Sequence, residues 1–200
     1  RKKILLKGPV LTRSGYGEQT RFALRSLRSR PDLFDVYIQP LQWGNTSWLA
    51  TTDSERAFID QTIEKTIGHM QGGGQFDISL QVTIPNEWEK IAPVNIGYTA
   101  GIETTKVAPV WIQAANEKVD KIIVVSNHSK NVYENTHVVA VDSNTGKEID
   151  YNLKTPIYAS ALERISPTPL SGLWKSSKMK KLALFLRPIL LRIASWTERP

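Results

Sequence analysis

The sequence predicts an α/β fold of Rossmann-like type, a mainly parallel sheet with helices on both faces. Three observations carry that expectation. Short apolar runs alternate with helical runs from residue 4 to residue 135. The connections are short, as in the βα units of a parallel sheet. The run "VDKIIVVS" at 119–126 is almost wholly β-branched and apolar, as strands buried on both faces tend to be. The expected strands are 4–7, 35–39, 77–82, 94–98 and 121–125.

Each element has its own signal. "KILLKG" is a short buried-type strand. "GEQTRFALRSLRSRPD" is helical, with Phe22, Leu24 and Leu27 set among arginines, and it stops at Pro31. "FDVYIQPL" is the second strand, and the polar loop "QWGNTSW" follows it. "DSERAFIDQTIEKTIGHM" is a helix that Ser54 can cap, with Phe58, Ile59, Ile63 and Ile67 at helical spacing. "GGG" at 72–74 closes that unit before the strands "FDISLQVT" and "PVNIGYTA". "APVWIQAANEK" is a short helix with Pro109 in its first turn. "NHSKNVYEN" opens another, capped by Ser126 or Asn127. "HVVAVDSNTGKEIDYNL" reads as two strands around "SNTG". Pro156, Pro167 and Pro169 mark a linker-like stretch, so the expected division is a domain over 1–170 and a helical basic, apolar tail over 171–200.

Composition narrows the function classes. Of the 200 residues 40% are hydrophobic and 22% charged, the balance of a folded globular chain. There is no cysteine, hence no disulfide framework and no thiolate zinc site, which fits a reducing cytoplasm. The sequons at Asn45 and Asn127 read as chance matches, and "RKKILLKG" is too short in its apolar part for a signal peptide. Net charge is +7, but Lys175, Lys178, Lys180, Lys181, Arg187, Arg192 and Arg199 against Glu198 put +6 of it in the segment 174–200. A nucleic-acid-binding domain would spread that charge over a folded face, so nucleic acid is not an expected partner.

Candidate chemistry gathers where the strands should end, because open parallel sheets bind ligands at their carboxyl edge. Gly15, Tyr16 and Gly17 follow the first strand and open a helix, an arrangement that lets a ligand approach the backbone. It matches neither the dinucleotide fingerprint nor a P-loop. The plainer reading of these glycines is a turn. "GYTAGIETT" ends the fourth strand, with Thr99, Glu103 and Thr104 at the same edge. Glu103 lies where a general base or hydroxyl-binding carboxylate would stand. Its plainer reading is a solvated loop acid. Ser126 and Lys130 follow the fifth strand, with helix capping and a surface lysine as their plain roles. His69, His128 and His137 have no metal-ligand spacing, and no metal is expected. Neither a G-x-S-x-G elbow nor a D-x-D pair occurs. Trp43 and Trp48 lie in a loop and suit stacking on a base or sugar, whereas Trp88 and Trp111 read as packing residues.

Taken in order, "SGYGEQTRFALRSL" and "NIGYTAGIETTKVAPVWIQAANEKVDKIIVVSNHSK" resemble the N-terminal half of GT-B glycosyltransferases, of the retaining family 4 type and its group 1 relatives. The specific part is the second run: Tyr98, Glu103, Thr104, Thr105, Pro109 and Trp111, then Val119, Asp120, Ile122, Val124, Ser126, Ser129 and Lys130. The likeness covers roughly residues 3 to 157. It implies an acceptor-binding domain that helps move a sugar from a nucleotide-sugar donor to a glycan or lipid-linked acceptor. No cofactor is implied, since the nucleotide sugar is a substrate. Gly15, Tyr16 and Gly17 would lie in the interdomain cleft near the donor phosphates and the acceptor. Glu103 would be the catalytic carboxylate on the acceptor side, and Thr99, Thr104, Ser126 and Lys130 would line the cleft.

Two departures follow from the same comparison. The family's second domain carries a basic residue and an E-x7-E pair, and Glu198 is the only acid after Glu163 here. A missing C-terminal donor domain is therefore an expected partner, and the chain alone is expected to be inactive. The second departure is "KMKKLALFLRPILLRIASW", too short and interrupted to span a bilayer. It reads first as a helix packed on the domain, then as a contact with a membrane surface through 174–196. A rival function class is an orphan binding module for a glycan or phosphate ligand. A third is another enzyme on this fold, such as an epimerase or dinucleotide-binding protein. Gln39, Pro40 and Leu41 in place of an acid at the end of the second strand count against dinucleotide binding.

Overall fold

A computed structural model describes residues 1–141 and 144–159 of the chain. The segment 174–196, expected to pack or to meet a membrane, lies outside the described residues, as does the rest of 160–200. The elements run β1 (Lys2–Gly8), α1 (Gly15–Arg28), β2 (Phe34–Pro40), α2 (Ser54–Gln71), β3 (Ile78–Val82), β4 (Val94–Thr99), α3 (Pro109–Lys118), β5 (Lys121–Val124), α4 (Asn127–Glu134), β6 (Val139–Val141), β7 (Glu148–Asp150) and β8 (Ile157–Ala159). Six strands form one sheet in the order β2-β1-β3-β4-β5-β8, and every pairing in it is parallel. The protein has the expected α/β, Rossmann-like fold. β6 and β7 form a separate antiparallel hairpin, as "SNTG" suggests.

The sheet buries both faces because alternate residues of its strands are apolar on each side. On one face Ile4, Leu6, Ile78, Leu80, Ile96 and Ile123 pack against Leu24 and Leu27 of α1. On the other, Ile122, Val124 and Ile157 pack against Ile112 and Ala115 of α3 and Val132 and Tyr133 of α4. β8 is the element that the linker-like proline pattern hides: it begins directly after Pro156 and pairs Ile157 with Ile122.

α2 takes an unexpected path. Ile59 joins the α1 face, yet His69 reaches Tyr37 and Phe76 on the opposite face, 4.7 and 5.3 Å between ring centres. The helix therefore crosses the open edge of β2. There the Thr66 hydroxyl accepts from the Ile38 N–H at 2.8 Å and donates to the Thr62 carbonyl at 2.7 Å. An exposed strand edge is thereby closed by side chains. Thr62 and Thr66 are buried for this reason, while Ile67, expected on the apolar stripe, is 51% exposed. The cap also differs. Asp53, not Ser54, accepts from the Arg56 N–H at 2.9 Å.

Between β3 and β4 the chain makes no crossover helix, only a single 3-10 turn, Pro85–Glu87, within the segment 83–93. Side chains from the sheet hold it. Gln81 donates to the Glu89 carbonyl at 2.7 Å and accepts from the Glu89 N–H at 2.9 Å. Asn95 Oδ1 accepts from Ser79 Oγ and from the N–H groups of Ile91 and Ala92. Buried polar groups on a sheet face are stable only when satisfied in this way. Gly97 belongs to the same arrangement: a Cβ there would lie 2.4 Å from Trp88 Cζ2, so the glycine lets the indole lie flat on β4.

Candidate functional site

The strand order fixes where a ligand cleft can form. From β1 the chain steps outward to β2 and then returns past β1 to β3. The connections leaving β1 and β3 therefore diverge at their carboxyl ends, the topological switch point where open α/β sheets bind ligands. The segments there are 9–14 after β1 and 83–87 after β3.

Ser14 caps α1 by accepting from the Gly17 N–H at 2.9 Å. That leaves the first turn of the helix at the edge of the sheet. Gly15 and Gly17, equivalent in the sequence, differ sharply here. A Cβ on Gly17 would lie 2.2 Å from the Thr12 carbonyl oxygen, whereas one on Gly15 would meet nothing within 4 Å. Neither has positive φ. Gly17 thus exists for the packing of its own loop. A bulky residue at Gly17 would press on the backbone of that loop.

Tyr16 joins the two runs. Its hydroxyl lies 2.9 Å from Thr99 Oγ1 and accepts from the Ala100 N–H at 3.2 Å. Gln19 Nε2 donates to the Thr99 carbonyl at 3.2 Å. Burial raises the Tyr16 phenol above its ordinary pKa, the bonds to Thr99 and Ala100 work against that rise, and the nearby Glu87 carboxylate adds to it. A phenol so placed stays protonated and serves as a hydrogen-bonding group, not a base. Glu87, which the sequence reading did not single out, is exposed on the 3-10 turn and accepts from the Thr83 hydroxyl. Only knowledge of the strand order marks "TIPNEW" as flanking the cleft.

The loop after β2 is docked on the loop after β1. Thr12 and Trp48 form an antiparallel bridge, with Arg13 N–H to the Ser47 carbonyl and Leu49 N–H to the Leu11 carbonyl, both at 2.8 Å. This brings the Trp43 ring to 4.6 Å from that of Tyr16 and leaves Trp48 56% exposed.

The remaining predicted residues are placed as follows. Glu103 and Thr104 are exposed on the segment 100–108, where Thr104 Oγ1 donates to the Lys106 carbonyl. Ser126 is the N-cap of α4, accepting from the Ser129 N–H at 3.0 Å, and Ser129 Oγ accepts from the Ile102 N–H. That pair ties the segment 100–108 to α4. Lys130 makes an i,i+4 ion pair with Glu134 at 3.2 Å. Tyr16 touches both Thr99 and Trp43; Ser126 and Lys130 have the plain roles available to them.

Two concavities lie away from this constellation. One of about 350 Å³ opens at the amino end of β2, lined by Leu27, Phe34, Phe58 and Lys65 among others. The other, about 180 Å³, holds Arg21, Arg25 and Arg56. Those arginines are already paired with Glu18, Glu55 and Asp60, so it is a clamp between α1 and α2 and not an open anion cradle. Among the described residues no group of three or more His, Cys, Asp or Glu could hold a metal ion, and no helix is long and apolar enough to cross a membrane. No family model, curated protein or solved structure matches the chain.

Proposed function

We propose that the chain is the acceptor-side half of a GT-B glycosyltransferase, working with a donor domain that grips the nucleotide sugar. One observation carries the reading: the Tyr16–Thr99 hydrogen bond links the two runs on which the family resemblance rests, beside the switch point of the sheet. In this reading the acceptor lies along the carboxyl edge. Glu103, on its exposed segment, binds or deprotonates the acceptor hydroxyl, and Thr99 with Tyr16 shapes the floor beneath it. Holding donor and acceptor together can supply about 7–11 kcal/mol of the barrier, and one domain cannot provide that closure. The purified chain is therefore expected to bind neutral oligosaccharides at residues 9–17, 83–88 and 99–106 in amide-resolved NMR, and to transfer no sugar from any nucleotide sugar. Robust turnover by the chain alone overturns the half-enzyme reading. Saccharide shifts confined to the amino ends of the strands overturn the site.

A further inference from the structure

We propose that Trp48, together with the open surface over Gly15, forms a saccharide subsite that stacks one pyranose ring of the acceptor glycan. The proposal rests on the acceptor-side reading and names the chemistry its carboxyl edge would take.

Rigidity is the first argument. Trp48 is a large exposed aromatic, yet its backbone is fixed by the bridge to Thr12 and by the flanking bonds of Arg13 and Leu49. In an antiparallel bridge the paired side chains stand on one face. The indole is thus on the side of the Thr12 hydroxyl, itself 2.8 Å from Ser14 Oγ at the cap of α1. An exposed indole on a fixed backbone, with two side-chain torsions to order, can bury apolar surface on a ligand at low ordering cost.

Space is the second. Glycine is the residue of choice where a positive φ or a close approach requires it. Gly15 has neither need, with no positive φ and no neighbour for a Cβ. Openness alone decides nothing, since Gly68 on α2 is equally open. Gly15 differs in its surroundings: Tyr16 stacked with Trp43 follows it, and Trp48 is docked on the loop before it.

Chemistry is the third. A pyranose ring offers C–H groups on one face and hydroxyls at its rim. Aromatic faces suit the former, and the Ser14 hydroxyl at the cap of α1 suits the latter.

The test titrates the intact chain with a panel of neutral di- and trisaccharides, and separately with UMP, following indole and amide NMR signals. A saccharide should shift the Trp48 indole N–H and the Gly15 amide. Trp48→Ala and Gly15→Leu should each weaken that binding at least tenfold, Trp48→Tyr should retain most of it, and Gly68→Leu should leave it unchanged. Thermal melting of Gly15→Ala keeps the outcome readable if the leucine variant folds poorly, because alanine there should preserve the melting point. Saccharide binding at the carboxyl edge that ignores Trp48 and Gly15 overturns this subsite and spares the acceptor reading. UMP shifting Trp48 in place of the saccharides, or no saccharide binding at all, overturns both.

Discussion

The Tyr16 hydroxyl sits 2.9 Å from Thr99 Oγ1, joining residues 83 positions apart, and it also accepts the Ala100 N–H. Tyr16→Phe keeps the ring on Trp43 but removes both bonds. The cost should be about 1–3 kcal/mol, since two part-buried groups lose their partner. The readable signature is local: hydrogen exchange at Ala100 should accelerate more than at β1 amides. Equal exchange at both would remove the pin from the account.

At the β2 edge Lys65 donates to the Val36 carbonyl, and the Ile38 N–H depends on the Thr66 hydroxyl. Thr66→Val is nearly isosteric but leaves the buried Ile38 N–H without an acceptor. A loss of about 1–3 kcal/mol is expected, with faster exchange at Ile38. Thr66→Ser, which keeps the hydroxyl, should recover most of it. If valine is tolerated and serine is not, packing and not the hydrogen bond holds α2 there.

Two glycines should behave as packing residues. Gly17→Ala puts a Cβ against backbone, the Thr12 carbonyl, and Gly97→Ala puts one into the Trp88 indole. Each should destabilise by about 1–3 kcal/mol, the usual cost of overpacking. Gly97→Ala should also alter Trp88 fluorescence, because the ring must tilt off the strand. Unchanged melting in Gly17→Ala would mean that the loop 9–14 yields easily.

The sequence made the five long strands legible because they are continuous apolar runs between turn residues, and each observed strand overlaps its expected range. β8 escaped because three residues carry no period and its pairing with β5 is long-range. Ile67 misled because α2 follows a sheet edge, where threonine hydroxyls serve better than an apolar stripe. At the site, Tyr16 and Thr99 could be named, but their contact could not, since it depends on how α1 docks across β4. Glu87 needed the strand order, and Gly15 and Gly17 needed the directions in which their missing side chains would point.

The last prediction concerns alkaline pH. Burial pushes the Tyr98 phenol up to about 12, with the Gln19 side chain opposing that rise. Burial also raises Tyr133 and Tyr16. A pKa raised by folding means that the folded state holds its proton more tightly than the unfolded chain, which titrates near 10. The resulting stability is fully present below about pH 10 and is lost as pH rises toward the folded values. For Tyr98 the window runs from roughly pH 10 to pH 12, and a two-unit rise corresponds to on the order of 3 kcal/mol. Urea unfolding at pH 9 and pH 11 should therefore show a drop in stability, and Tyr98→Phe should make that drop smaller. Absorbance at 295 nm should show Tyr16, Tyr98 and Tyr133 ionising only as the fold is lost. If all six tyrosines of the chain ionise near pH 10 while the fold persists, the phenols beneath the cleft are in contact with water, and the floor assigned to Tyr16 and Thr99 is not closed.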